Sequence, residues 1–522
     1  MMKKIFCFAV LSMAMTVPSI AQETYENAKL METDLNGTAR YVGMGGAMEA
    51  LGADISTIST NPAGIGLFRK GWVGGSFSVV AQQDASNFAN GKKTTFSFNQ
   101  AGFVHTSRTG VNSYVNFAFN YHKSRNFNYI LSAADYLSNA SQNKETYVKA
   151  KNGMLYEVDS KTLTPDFNSP KSQCSQLDDL YASNLNYDMI DNIWYAYAAD
   201  NYTMNRAQKG YIGEYDINLS GNVNNRVYLG MTIGIHDVHY SHYGEYDEFV
   251  AGNRKIRVAD DRTIEGVGYD VKAGIIFRPL EESALRFGLS VASPTWYSLT
   301  SSNDTWMTGD NNGLAFSENN NDSYDFKLYT PWKFGVSAGH TIGTMLAMGL
   351  SFEYTDYSSM DSRKNTGSKY DWYYDTYTQT SSSDAEMNRH TERTLKGVST
   401  LKAGIEVKPD PALAVRFGYN YLSPMYEEEG YKDGTIASTG SYISSATDYT
   451  NWKATHRITC GIGYSFGQLN LSAAYQYSTT NGEFSPFMAY KDNQSAADNN
   501  IANSVSVSNK HHQVMATIGY TF

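Results

Sequence analysis

Residues 468–478 read QLNLSAAYQYS. Leu469, Leu471, Ala473, Tyr475 and Tyr477 alternate with Asn470, Ser472, Ala474, Gln476 and Ser478. A period of two is that of a strand with one apolar and one small or polar face. A single residue, Gly467, separates this run from a second strand-like stretch over 452–466, so the two form a tight hairpin.

The same alternation recurs along the chain. It appears in Val115, Phe117, Phe119 and Tyr121, in Leu346, Met348, Leu350, Phe352 and Tyr354, and in Leu413, Val415, Phe417, Tyr419 and Tyr421. Strand-like segments cover 71–81, 94–106, 113–123, 210–220, 226–240, 263–278, 284–298, 324–340, 344–356, 397–408, 412–424, 452–466, 468–478 and 511–522. Their links alternate in length. Ser107–Asn112, Gly221–Asn225, Pro279–Ser283, Thr341–Gly343, Pro409–Pro411 and Gly467 are tight; 82–93, 124–209, 241–262, 299–323, 357–396, 425–451 and 479–510 are long. A soluble sandwich has no reason to collect every long loop at one end, whereas a membrane barrel does so as a rule. The expected fold is all-β, a transmembrane antiparallel β-barrel of about fourteen strands. The final row, Val514, Ala516, Ile518, Tyr520 and Phe522, ends on an aromatic residue. That ending resembles the signal by which such barrels are handed to the barrel assembly machinery.

Composition agrees. Aromatic residues make up 14% of the chain, forty of them tyrosines, and no run of about eighteen apolar residues exists to form a membrane helix. The net charge of −10 argues against a nucleic-acid partner. Lys3 and Lys4, the apolar run Ile5–Val17 and the small residues Ser19-Ile20-Ala21 have the layout of a secretory signal peptide over 1–21, with Cys7 inside its apolar part. Cys174 and Cys460 give neither a disulfide framework nor a metal-ligand spacing. On the polar rows, which face the lumen, Glu214, Asp216, Asp270, Lys272, Glu353, Lys402, Glu406, Arg416 and Arg457 mix both signs of charge, suited to pairing with one another or with a plug.

Residues 22–68 lack a strand pattern. They include TARYVGMGGAMEALGADISTISTNPAGIG over 38–66. A phosphate-binding loop is excluded: the third glycine of G-x-G-x-x-G is missing, no Lys-Ser or Lys-Thr follows, and no βαβ unit surrounds it. Fourteen strands enclose a lumen that side chains alone do not fill. Glycines at Gly43, Gly45 and Gly46 permit a tight turn close to another backbone, and Pro62 stiffens the turn at Asn61. The segment is expected to fold back inside as a plug.

This stretch resembles the N-terminal hatch of the FadL/TodX family of outer-membrane transporters for hydrophobic compounds, in which a G-M-G-G-A run precedes N-P-A-G. Weaker likenesses lie in LRFGLSVASPTWYSL (285–299), GLSFEYTDYSSMD (349–361), PALAVRFGYNYLSP (411–424) and HRITCGIGYSFGQLNLSAAYQYS (456–478). The resemblance implies a monomeric barrel over 69–522 in the bacterial outer membrane, in contact with its lipid. It implies a hatch over 22–68 gated at Asn61, Pro62, Ala63 and Gly64, and passive uptake of a small hydrophobic ligand of the long-chain fatty acid or aromatic hydrocarbon type. It implies no cofactor. The long polar loop 124–209 departs from the family pattern. An adhesion protein that uses the barrel as an anchor for its loops is the alternative.

His236, His239 and His242, near Asp237 and Glu245, do not converge on a strand, since His239 points away from the other two; no metal site is expected there. The neighbours His511 and His512 cannot chelate together, and Glu427–Glu429 reads as a solvated loop tip. Tyr121, Tyr240, Tyr297, Tyr354 and Tyr421 are expected in an interfacial aromatic girdle. Tyr370, Tyr373, Tyr374 and Tyr377 sit in a loop, either as ligand contacts or packed loop on loop. No catalytic cluster stands out, so the protein is not expected to be an enzyme.

Overall fold

The structure, a computed structural model, describes residues 23–522 apart from 156, 159–164, 167–173, 189, 192, 251–253, 312–313, 374–375, 435, 437–445 and 491–498. The signal-peptide expectation for 1–21 falls outside the described residues.

Fourteen antiparallel strands form a closed barrel. They are β1 (Trp72–Gln82), β2 (Thr94–Arg108), β3 (Tyr114–Asn126, resuming at Tyr129–Tyr136), β4 (Ala199–Val223), β5 (Val227–Val250), β6 (Arg254–Phe277) and β7 (Arg286–Ala292 and Trp296–Asn311). The remainder are β8 (Leu314–Tyr329 and Lys333–Ile342), β9 (Leu346–Asp356 and Asp361–Asp371), β10 (Thr376–Ser383 and Gly397–Val407), β11 (Leu413–Leu422), β12 (Tyr449–Phe466), β13 (Leu469–Ser485) and β14 (Val505–Thr521). Each pairs with the next, and β14 returns to β1 from Trp72↔Thr521 to Gln82↔His511, leaving no free edge there.

The apolar rows face outward. Phe117, Leu219, Leu350, Phe417, Ile458 and Val514 are all more than two-fifths exposed, on the outer face of the wall. In water such a belt would be a liability; against lipid it is the expected surface. Among the described residues no helix is long and apolar enough to cross a membrane.

The strands run further than alternation indicates. Much of 241–262, 299–323 and 357–396, expected as loops, is strand: β5 and β6 stay paired out to Val250↔Arg254. Above the lipid, outward positions turn polar, as in Arg254–Asp261, so the period of two disappears while the hydrogen-bond ladder continues. The girdle expectation fails at Tyr240 and Tyr297, which are 3% and 4% exposed and point into the barrel, where Tyr240 packs edge-on against Phe127.

Residues ahead of β1 lie inside the barrel. α1 (Thr24–Met31) sits at the long-loop end against α5 (Ala385–Thr394), with His390 Nδ1 2.9 Å from Thr24 Oγ1. The chain then descends through α2 (Ala39–Gly43), capped by Thr38 Oγ1 accepting from Tyr41 N, and two 3-10 turns, Ile55–Ser59 and Pro62–Leu67, capped by Asp54 and Asn61. Above the barrel, α3 (Gln142–Lys151) and α4 (Gln176–Tyr181) fold much of 124–209 into a cap, with Asn143 Nδ2 donating to Glu248 Oε1 on β5.

Candidate functional site

The internal segment is seated backbone to backbone. Gly339, Gly349, Gly404 and Gly418 lie directly opposite one another on β8 to β11, a row of four strands without inward side chains. A Cβ on Gly349, Gly404 or Gly418 would overlap Ala47 O, Met44 O or Gly45 N, and one on Gly339 would lie 3.0 Å from Leu51 N. Gly45 and Gly46 turn at φ +63° and +82°, the left-handed region that favours glycine. Gly43 is helical, and there its missing side chain lets the helix end approach Gly461. On the opposite wall Gly230, Gly274 and Gly288 leave a recess for Asn61 and Pro62. Asn61 Oδ1 accepts from Ala63 N (3.2 Å), and Pro62 O accepts from Ser220 Oγ (2.9 Å). Gly64 packs against Thr57 and Gly52. Thus Asn61, Pro62, Ala63 and Gly64 form one anchor and Gly43, Gly45 and Gly46 another, on separate parts of the wall.

Ion pairs reinforce this seating. Arg40 Nε lies 3.1 Å from Glu406 Oε2, which Arg416 also contacts at 2.6 Å; Lys402 Nζ bridges Glu49 (2.8 Å) and Glu353 (2.6 Å). Glu23 pairs with Lys432 (2.6 Å) and Glu26 with Arg262 (3.3 Å). Asp34 pairs with Arg125 (3.1 Å) and Arg457 (3.6 Å), and Glu32 also pairs with Arg125. The mixed-sign lumen charges are therefore partly complements of the plug.

One wall is incomplete. β2 is bonded to β1 from Thr94 onward but to β3 only from Gln100↔His122 downward. At Lys123/Arg125 the register of β3 against β4 shifts, and after Asn126 the strand breaks before resuming on β4 alone. Thr94–Asn99 therefore have no ladder partner on that side among the described residues. The internal segment covers this gap from within: Asp34 N donates to Ser124 O (2.8 Å), Asp34 Oδ2 accepts from Asn126 N (2.8 Å), and Asn36 Nδ2 donates to Lys123 O (2.9 Å). Asn99 Nδ2, on the other edge, donates to Asn36 Oδ1 at 2.6 Å, and Lys123 Nζ donates to Ser97 Oγ at 3.2 Å.

A cavity of about 150 Å³ lies behind the gap. Its walls include Ser97, Asn99, Lys123 and Arg125 from the gap edges and Tyr25 and Lys29 from α1. Aromatic rings form its upper part: Tyr25 stacks on Tyr426 at 5.1 Å, and Tyr129 meets Trp452 edge-on at 5.6 Å. Arg206, paired with Asp448, and Arg457 give it polar walls as well. The cavity is therefore amphipathic rather than a purely greasy groove. A larger cavity of about 450 Å³, lined by Arg40, Phe68, Trp72 and Pro411, opens at the tight-turn end, beyond the plug.

Other expected features stand apart from this cavity. His239 is half-exposed beside Asp237, His236 and His242 are buried, and His242 contacts Asp260, so these three histidines do not converge. His511 lines the cavity, while His512 Nδ1 lies 2.7 Å from Tyr475 Oη. Tyr370 and Tyr373 are exposed; the side chains of Tyr374 and Tyr377 lie outside the described set. Cys174 and Cys460 are not disulfide-bonded. The resemblance left open whether the wall has a gap; sequence reasoning did not locate it or its covering residues, Asp34 and Asn36.

The cap carries its own titration. Burial pushes Glu145 on α3 up to about 8 from 4.5, with Asp178 adding repulsion and Lys149 opposing it. The closed cap holds a proton that an opened cap releases between pH 4.5 and 8, so its stability is whole below that window and declines as pH rises through it. E145Q is expected to flatten this profile and raise protection of residues 142–151 at neutral pH, by about 1.4 kcal/mol per pKa unit removed. Hydrogen exchange at pH 5 and pH 8 checks this; equal pH dependence in both proteins would refute it.

A closed transmembrane barrel with its N-terminal segment lodged in the lumen and one wall broken beside a cavity belongs to the plugged-barrel class of outer-membrane folds. Over 94% of its length the chain is similar to a FadL homologue from Pseudomonas aeruginosa, covering 99% of that chain at 11% identity and a TM-score of 0.51. It is also similar to the toluene transporters TbuX of Ralstonia pickettii (94% and 98% covered, 12% identity, TM-score 0.48) and TodX of P. putida (94% and 99%, 10%, 0.46). No family model and no curated protein matches the sequence. The fold is the FadL type.

Proposed function

We propose that this protein is an outer-membrane channel for passive uptake of small, largely apolar molecules that carry a polar group. The observation that carries this reading is the juxtaposition of an aromatic-lined, partly charged cavity with an opening in the barrel wall. An apolar solute gains nothing from an aqueous pore, but a cavity that opens sideways releases it into lipid without exposing it to water. The ligand enters beneath the loops, rests against Tyr25, Tyr129, Tyr426 and Trp452, and places its polar group among the cavity's basic and amide side chains. Movement of Glu32–Asn36 away from the β3 edge then clears the gap, while the anchors at Gly45 and Pro62 keep the lumen shut below. The names of the similar solved structures, toluene transporters among them, are consistent with this substrate class.

The gap itself is testable. With Cys174 and Cys460 replaced by serine, S97C and K123C are joined by a short, reductively cleavable cross-linker across the opening, where the native side chains touch. Uptake of a fluorescent amphiphile into cells is expected to fall to background and return on reduction. Unchanged uptake in the cross-linked protein would exclude sideways passage.

A further inference from the structure

A cluster of buried ionisable groups lies on the inner wall, away from the gap-side cavity. In one register row, His122 on β3 faces Glu214 on β4, which faces His236 on β5; in the next, Asp216 faces Gly234, which faces Asp270 on β6. Lys272 contacts one oxygen of each carboxylate: Glu214 Oε1, Asp216 Oδ1 (3.2 Å) and Asp270 Oδ1 (3.3 Å). Their second oxygens point to the imidazoles. Glu214 Oε2 lies 3.5 Å from His122 Nε2 and 3.8 Å from His236 Nδ1, and Asp270 Oδ2 lies 3.1 Å from His236 Nε2.

We propose that Glu214, His236 and Asp270 form a binding site for one divalent transition-metal ion of the zinc type, with His122 beside it. Donor atoms of the three residues all lie within 4.8 Å of one another. Ligands about 2.0–2.1 Å from a tetrahedral ion are spaced by about 3.4 Å, close to the 3.1 Å between His236 Nε2 and Asp270 Oδ2, so Glu214 closes on the ion by a small side-chain rotation; an imidazole with two carboxylates is a usual zinc donor set.

Charge balance supports the assignment independently. Three carboxylates against one ammonium leave two negative charges, and among the described residues their ion pairs include no cation other than Lys272 and the imidazoles. One divalent ion neutralises that excess with both imidazoles neutral. Asp216 Oδ2 and His236 Nε2 are buried without a well-formed hydrogen bond; their neighbours are His122 Nδ1 at 3.4 Å and Asp270 Oδ2 at 3.1 Å, and the His236 Nε2 lone pair would face an ion held between it and Asp270. Tyr297 Oη lies 3.5 Å from His236 Nδ1, where an outer partner would fix the ring. Gly234 leaves the space open, since a Cβ there would run into Asp270 Oδ1. The cluster also lines a cavity of about 150 Å³ between the plug and the wall, shared with Glu32 and Asp34. Lys272 keeps its three oxygens and holds the carboxylates in place from the other side. The ion would tie β4, β5 and β6 together.

The test uses untagged, full-length protein in detergent, stripped with chelator and titrated with Zn²⁺ by calorimetry and with Co²⁺ by visible absorption. One equivalent is expected to bind, with Co²⁺ bands of a low-coordinate nitrogen–oxygen site. H236Q and D270N are expected to weaken binding about a hundredfold or more, Y297F by about tenfold, and H239Q, on the outer face, not at all. Heat-modifiable migration on gels establishes that each variant is folded. Should H236Q fail to fold, the Co²⁺ spectrum of the unmodified protein decides alone. Absence of a bound equivalent, or binding indifferent to H236Q and D270N, would overturn the site and leave protonated imidazoles as the balancing charge.

Discussion

Valine at Gly418 unseats the plug and turns a closed barrel into a conducting one. The Cβ of any residue there overlaps Gly45 N, a backbone atom with no room to retreat because Gly404 and Gly349 hold Met44 and Ala47 equally closely. Overpacking of this kind costs about 1–3 kcal/mol even where side chains can move. Against rigid backbone the cost lies at the upper end, which raises the open population by about tenfold to a hundredfold. Planar-bilayer conductance and sensitivity of cells to large polar antibiotics both read it. G110A, in a tight turn where the nearest atom would be 3.4 Å away, serves as the tolerated control. A G418V barrel as tight as the unmodified one would mean that the glycine row does not seat the plug.

E26A is expected to detach α1 from β6 and, on the proposed function, to abolish retention of a bound amphiphile. Glu26 and Arg262 are each 1% exposed at the side chain, and removing the carboxylate takes the 3.3 Å ion pair from a buried guanidinium that retains its bond to Asn303 Oδ1. Breaking a buried pair from one side costs about 3–5 kcal/mol, far more than a short helix without a side-chain N-cap can absorb. Tyr25 leaves its stack on Tyr426 and the cavity loses its ceiling. Exchange of amides 24–31 is expected to accelerate by about two orders of magnitude or more, with retention of a co-purified amphiphile lost. The double variant E26A/R262A, which removes both charges, is expected to recover part of the protection. If E26A exchanges as slowly as the unmodified chain, the Glu26–Arg262 pair does not hold α1 in place.

The wall was legible in the sequence wherever lipid touches it. Rows such as Val115–Phe117 and Leu469–Leu471 announce a strand because an outward side chain has only one acceptable chemistry. Above the lipid that constraint ends, and the paired ends of β5 and β6 could not be told from loops. The plug was legible through its glycines, yet their partners were not: Gly339, Gly349, Gly404 and Gly418 are spread over four strands, and only register aligns them. The gap has no sequence signal of its own, since a missing partner is not a residue pattern. His236 illustrates the same limit. Its sequence neighbours His239 and His242 suggested a constellation that strand geometry forbids, while Glu214 and Asp270 come to it from adjacent strands.

The threading of the chain fixes an order of assembly. Residues 23–71 precede β1, and the barrel shuts only when Trp72 meets Thr521, the strand pairing most distant in sequence and hence the one chain entropy favours least. A segment that meets the wall on β5 and on β8 to β11 is more easily seated while those strands are still open to it, so α1 and the Pro62 turn are expected in place before that pairing forms. The plug is therefore a mandrel around which the wall is wound, inherited from biogenesis and not supplied afterwards.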